Sequence, residues 1–213
     1  MILSGGFFMR RLDLAMVIGL AVSVLMSNIA AFGQECDLVR SNVVRLHIMA
    51  NSNSIADQKI KLQVRDRILA DVGSVFEEPQ SQQDAKKVAE QALPAIREAA
   101  EKELRKNEVD ATVKAELTRM YFTTREYGDI SLPAGIYDAV RVTIGSGEGK
   151  NWWCVVYPPI CVAPAMAPQS VALDEIEHLN NEPLFKPKLA IVELFEQIKE
   201  KSLPKRQATV KAS

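Results

Sequence analysis

Three cysteines and two histidines are the only side chains in this 213-residue chain that offer a thiolate or an imidazole. Cys154 as nucleophile with His47 as its base is one chemistry they allow. The competing reading is a disulfide. Cys154 and Cys161 are separated by Val-Val-Tyr-Pro-Pro-Ile, in which Pro158-Pro159 can turn the chain back after a strand. A bridge closing so short a loop would stabilise by about 2–3 kcal/mol in the chain-entropy model, and the alternative is two buried thiols. Cys36 has no assigned role, and His178 stands alone. No His, Cys, Asp and Glu residues fall at zinc-ligand spacing, and no carboxylate pair stands out from the charged surface. No cofactor is expected.

Gly145-Ser146-Gly147-Glu148-Gly149-Lys150 invites comparison with a phosphate-binding loop. The spacing is wrong, because a loop ending at Gly149-Lys150 would need its first glycine where Ile144 stands. Ser or Thr is also missing after the lysine, and a strand rather than a helix follows. A turn between strands is the simpler reading.

The compartment decides how the cysteines read. Met9-Arg10-Arg11 precede an apolar run from Leu14 to Phe32, the pattern of an export signal. Ala31 and Gly33 are suitable small residues for cleavage after Gly33. The run is also near the roughly 18–20 residues that span a bilayer, so an uncleaved anchor is the alternative. Either way the remainder is expected to act outside the cytoplasm, where a nearby cysteine pair is first a disulfide candidate. Net charge is −1 and pI about 6.2, so no global field recruits nucleic acid or an anionic membrane. Membrane contact is expected only through the N-terminal segment.

The elements that must position these residues follow from periodicity. Val44, Leu46, Ile48 and Ala50 alternate with Arg45, His47 and Met49, a strand with one apolar and one polar face. Asn51-Ser52-Asn53-Ser54 breaks it with turn-forming residues. Ser54 and Asp57 then form an N-cap with an acid at N3, opening a helix whose stripe is Ile60, Val64, Ile68 and Val72. Leu62 and Leu69 lie on another side of it, and Gly73-Ser74 ends it. Ser81 with Asp84 starts a second helix reaching Lys106, with Ala89, Leu93, Ile96, Ala100 and Leu104 as its buried stripe and Pro94 inside it. A strand over Thr112–Met120 alternates small or apolar with charged residues. Thr123–Ala134 reads as a loop. Ile136–Ile144 and Asn151–Tyr157 read as a hairpin around the glycine tip, with Trp152 and Trp153 on opposite faces. Pro158–Pro168 is irregular, Leu173–Asn180 briefly helical, and Leu189–Lys201 a C-terminal helix with Leu189, Val192, Phe195 and Ile198 on one face.

The predicted fold is α+β: a mostly antiparallel sheet of about four strands packed with two long helices and a short C-terminal helix. The expected organisation is a signal peptide or anchor over 1–34, a single domain over 35–203 and a disordered basic tail over 204–213.

Two ordered blocks carry a resemblance. The first is Arg45-Leu46-His47-Ile48, Ala50-Asn51-Ser52, Asp57-Gln58, Lys61 and Val64-Arg65-Asp66. The second is Tyr127-Gly128-Asp129, Leu132-Pro133-Ala134-Gly135, Tyr137 to Val142, and Gly147 through Pro159. Together they resemble stage II sporulation protein R of endospore-forming bacteria over roughly residues 40–200. The resemblance implies a signalling protein rather than an enzyme. Such a protein is made in the forespore and exported into the space between its two membranes. There it triggers a membrane-embedded protease of the mother cell that processes the sigma-E precursor. No catalytic residues carry over. The candidate partner-binding residues are Arg45, His47, Asn51, Asp57, Gln58, Arg65, Asp66 and Trp153, although Asn51 and Asp57 also suit a purely local role in turn and cap. An extracytoplasmic cysteine-dependent or cell-wall hydrolase is the enzyme alternative, and a passive wall-binding module a third reading.

Overall fold

The computed structural model describes residues 5–127, 130–160, 176, 180 and 185–202. The chain divides into two compact units, Met1–Asp37 and Leu38–Ser213. The first consists of helix α1 (Gly5–Ser41) up to its last turn. Within α1, Leu12–Ser41 is long and apolar enough to cross a membrane, a property that signal sequences share.

The second unit is built on β1 (Val44–Met49), α2 (Ile55–Val72), a 3-10 turn over Gly73–Phe76 and α3 (Gln82–Lys106). Strands β2 (Val113–Phe122), β3 (Arg125–Tyr127), β4 (Ile130–Leu132), β5 (Gly135–Ile144) and β6 (Asn151–Tyr157) follow, and α4 (Phe185–Ser202) ends the described chain. The predicted α+β class holds. The main sheet is four-stranded and mixed, in the order β2-β5-β1-β6, and β3 pairs with β4 in a separate small sheet.

Both predicted caps form. The Ser54 hydroxyl accepts from the Asp57 amide at 3.0 Å, and Ser81 accepts from the Asp84 amide at 3.2 Å. Each satisfies an otherwise unpaired donor of a first turn. The α2 stripe of Ile60, Val64, Ile68 and Val72 is buried, and so are Ala85, Ala89, Ile96, Ala99, Ala100 and Leu104 of α3. With Leu46, Ile48, Val140, Val142 and Ile144 these residues form one apolar core between the helices and one face of the sheet. Each fully buried aliphatic side chain there is worth about 1.5–3 kcal/mol against exposure. A cavity of about 10 Å³ lined by Leu46, Ile68, Phe76, Ile96, Val140 and Val156 lies within it, enough for a single water.

Five local expectations need correction. β5 and β6 do not form a hairpin, because β1 lies between them, parallel to β5 and antiparallel to β6. The glycine segment therefore crosses the end of β1, a geometry that local periodicity does not encode. Thr123–Ala134 is no simple loop: it contains β3 and β4, too short to register as alternation. The polar face of β1 is not wet, since Arg45 is 0% and His47 3% exposed. Finally, Leu189 and Val192 of α4 are buried, but Phe195 and Ile198 are 65% and 58% exposed. Leu93 of α3 is only partly buried.

Several expectations lie outside the described residues: the Gly128-Asp129 turn, Cys161 and the segment following it, His178, and the tail after Ser202. Ile176 and Asn180, inside the stretch expected to be briefly helical, are helical.

Candidate functional site

The strand–turn–helix unit is held by a dense local network. Asp57 accepts from the Ser52 hydroxyl at 2.5 Å and from the Asn51 amide at 3.2 Å. Those bonds, the Ser52 one foremost, hold its carboxyl below the usual range. Gln58 donates to the Ser52 carbonyl at 2.8 Å. Asn51 and Asn53 reach across to the glycine segment, accepting from the Ser146 amide at 3.0 Å and the Lys150 amide at 2.9 Å. The Gly149 amide donates to the Ala50 carbonyl at 2.9 Å. Lys61 completes the lock, donating to the side-chain oxygen of Gln58 at 2.7 Å and the Lys150 carbonyl at 2.9 Å. Burial lowers its pKa.

This network explains the glycines. Gly145 has φ +58°, and a Cβ there would stand 2.2 Å from Asn51 Oδ1. A Cβ at Gly149 would meet the Ser52 carbonyl oxygen at 2.2 Å. The segment cradles a turn of its own chain, not a phosphate. Asn51, Asp57 and Gln58 are consequently engaged in intramolecular hydrogen bonds while remaining partly exposed. Lys61 escaped sequence reasoning because a lysine at helical spacing reads as solvated. Its position opposite Lys150 becomes visible only once β6 is known to lie beside β1.

Arg65 and Asp66 sit differently. Arg65 lies over the Trp152 ring, 4.9 Å from its centroid, and its guanidinium pairs with Asp66 at 2.6 Å. Asp66 is mostly exposed and Arg65 about one quarter exposed. Trp152 is half-buried against the apolar core. These three groups form a charged, aromatic-backed patch on the outer side of α2. Trp153 points to the other face, its ring 4.6 Å from both His47 and Phe122 and capped by Arg125 at 5.5 Å.

That other face holds the most unusual group in the molecule. The Arg45 guanidinium lies 4.1 Å from the Phe122 ring centroid and 4.9 Å from that of Tyr137. It donates to the Tyr127 hydroxyl on β3. Among the described residues its Nε and Nη1 are buried with no hydrogen-bond partner, and no carboxylate lies within ion-pair distance of it. Burial lowers its pKa, yet a guanidinium remains charged at neutral pH. Both nitrogens of His47 are buried, and among the described residues neither has a well-aligned hydrogen-bond partner, the nearest candidate being the Asn151 side chain. Burial pulls its pKa below the ordinary value, with the Asn151 side chain offsetting that in part. The structure thus separates the eight candidates. Arg45 and His47 are interior, Asn51, Asp57 and Gln58 form the lock, Trp153 covers His47, and only Arg65 and Asp66 share an outward patch.

Cys154 is buried and disulfide-bonded, so it offers no thiolate to His47. Cys36 is not bridged. Among the described residues no three His, Cys, Asp or Glu side chains are grouped to hold a metal ion.

A sequence profile described as stage II sporulation protein R matches residues 40–167. A protein of Bacillus subtilis (strain 168) named stage II sporulation protein R is 33% identical over 124 residues, which is 58% of this chain and 55% of the relative. The match therefore spans about half the length of that relative. No solved structure matches. The matched residues run from the last turn of α1 past β6, and so include the strand–turn–helix, its glycine lock and the Arg45 cluster. The chain belongs to the stage II sporulation protein R family.

Proposed function

We propose that this chain is an exported sporulation signal that activates a membrane-embedded protease in the opposing mother-cell membrane and so triggers processing of the sigma-E precursor. Family membership over residues 40–167 carries this reading. The structure supports it with a rigid presenting surface: the lock between Asn51, Asn53 and the glycine segment fixes α2 against the sheet. Activation by contact requires the protein to bind an active or assembled state of the protease better than the inactive one. A fixed helix does this at less entropic cost than a mobile loop. The contact surface is the patch of Arg65, Asp66 and Trp152, in which the aromatic ring and arginine are of the types enriched at binding hot spots.

The test is co-expression of the exported chain with the protease and the sigma-E precursor in a heterologous cell. Precursor cleavage is expected only when all three are present. Absence of cleavage with demonstrated export overturns the reading. Arg65→Glu is expected to cut cleavage at least tenfold while shifting stability by less than about 1 kcal/mol, because its pair with Asp66 is solvent-exposed. A parallel fall in stability, read by circular dichroism, would make the patch structural.

A further inference from the structure

Strand β2 lies at an edge of the main sheet and is paired on one side only. It runs beside β5 in unbroken register, from Val113 opposite Ile144 to Phe122 opposite Gly135. In the same register the Gly145 amide donates to the Thr112 carbonyl at 2.8 Å. Residues 112, 114, 116 and 118 therefore turn their main-chain groups toward β5. Those of Val113, Ala115 and Leu117 point outward, and among the described residues they have no hydrogen-bond partner. The far end of the strand is occupied, since Glu193, Glu196 and Glu200 of α4 act on Tyr121. Beside its start lies a groove of about 370 Å³ lined by Arg97, Glu101 and Arg105 of α3 and residues 109–113. Residues 112–118 are thus the open half of the edge. Proline, a bulge or a lone lysine commonly blunts such an edge. β2 has no proline and no bulge, and its Lys114 is followed two residues later by Glu116.

The open half is complementary to itself. Residues 112–118 read Thr-Val-Lys-Ala-Glu-Leu-Thr. Laid antiparallel against a second copy about Ala115, they set Thr112 opposite Thr118, Val113 opposite Leu117 and Lys114 opposite Glu116, once on each side of the axis. The outward main-chain groups match as well, giving about six bonds through residues 113, 115 and 117 of the two strands. Opposite charges directly across such a pair stabilise it and like charges destabilise it. Neighbouring centres fail that test. An axis at Lys114 or Glu116 brings like charges face to face, and one at Val113 sets Glu116 against Asp110. One at Leu117 leaves Lys114 opposite Met120 and Glu116 opposite Thr118. Glu116 is already held for the contact: Arg141 Nε donates to its Oε1 at 2.8 Å. Its Oε2 meets Lys114 of the same strand at 3.0 Å, a lysine that is 69% exposed and can exchange with that of the second copy.

We infer that β2 is a dimerisation edge, pairing with β2 of a second copy of this chain about a two-fold axis at Ala115. The interface is isologous, each Lys114 facing the other copy's Glu116, and the two four-stranded sheets join into one. This goes beyond the signalling reading and does not depend on the protease. Trp152 lies on β6, at the opposite edge of the sheet, so each copy keeps its Arg65–Trp152 patch free.

Sedimentation velocity of the full chain in a density-matched nonionic detergent tests it. The native chain is expected to sediment as a dimer. Lys114→Glu sets two carboxylates face to face on both sides of the axis and should raise the dimer dissociation constant roughly tenfold or more. Ala115→Pro removes an amide that β5 does not use and should abolish the dimer, since proline is tolerated where an edge N–H faces solvent. An unchanged circular dichroism spectrum verifies folding of each variant. An equimolar mixture of Lys114→Glu with Glu116→Lys should restore dimers, because both charge pairs are remade between the unlike chains. A monomeric native chain, or dimers that survive both Lys114→Glu and Ala115→Pro, would overturn the inference. A folded mixture that stays monomeric would overturn the axis at Ala115. Should Glu116→Lys unfold beside Arg141, the first two variants decide the matter alone. No protease is present, so failure here leaves the signalling reading to its own test.

Discussion

The two faces of the four-stranded sheet are buried by opposite means. Toward α2 and α3, β1 presents Val44, Leu46 and Ile48 to an apolar core whose cavity at Leu46 is about 10 Å³. On the reverse it presents Arg45 and His47 to a cage of Phe122, Tyr127, Tyr137 and Trp153. The first face is stabilised by area and close packing. The second gains area too, but shields a cation whose Nε and Nη1 make no hydrogen bond among the described residues, and desolvating such a charge costs several kcal/mol. Cation–π attraction recovers part of that. A stability-driven sequence would place a hydrophobe at position 45. The contrast teaches that one face of β1 makes the fold, while the other holds a group whose presence folding alone does not explain.

Urea denaturation separates the faces, and the largest effect belongs to the apolar one. Leu46→Ala should cost about 2–5 kcal/mol, from lost transfer energy and the cavity left behind. Arg45→Met, which keeps a long side chain over the rings and deletes the charge, should be neutral or stabilise by up to about 3 kcal/mol. If it destabilises as much as Leu46→Ala, the two faces are energetically alike and the contrast collapses.

His47 gives the reverse face a pH signature. Its folded pKa lies below the ordinary value, so in that interval the unfolded chain binds a proton that the folded one does not. Stability is therefore complete above about pH 6.5 and falls as pH drops toward the folded pKa, by at most about 1.4 kcal/mol per pH unit. His47→Gln should flatten the profile between pH 6.5 and 5, where the carboxylates have yet to titrate. A slope unchanged in that variant would remove His47 as its source. Ser54→Ala touches neither face and should cost about 1 kcal/mol through loss of the α2 cap. A larger loss would show that the cap also tensions the glycine lock.

Local chemistry was legible and tertiary neighbourhood was not. The caps at Ser54 and Ser81, the stripes of α2 and, Leu93 apart, of α3 and the strand at Val44–Met49 each depend on residues within one or two turns, and appear where periodicity puts them. The polarity of Arg45 and His47 misled because alternation reports chemical type, while exposure is decided by what folds over the strand, here β3, Tyr137 and Trp153. The supposed β5–β6 hairpin misled for the same reason: nothing in Gly145–Lys150 reveals that β1 lies between the flanking strands. Of the candidate surface, Arg65 and Asp66 were readable as charged positions on α2. The backing of Arg65 by Trp152 was not, since it joins residues far apart in the chain.

The insertion of β1 between β5 and β6 also constrains when this protein can fold. β1 directly follows the apolar helix, yet its partners lie 94 residues downstream in β5 and 102 to 113 downstream in β6. The centre of the sheet therefore cannot close until nearly the whole domain has been delivered. Long-range parallel pairing of this kind is slow, because the loop-closure entropy is lost before any contact offsets it. On the export proposed above, that delay would keep the leading strand unpaired until the domain has crossed, so that the fold assembles on the far side.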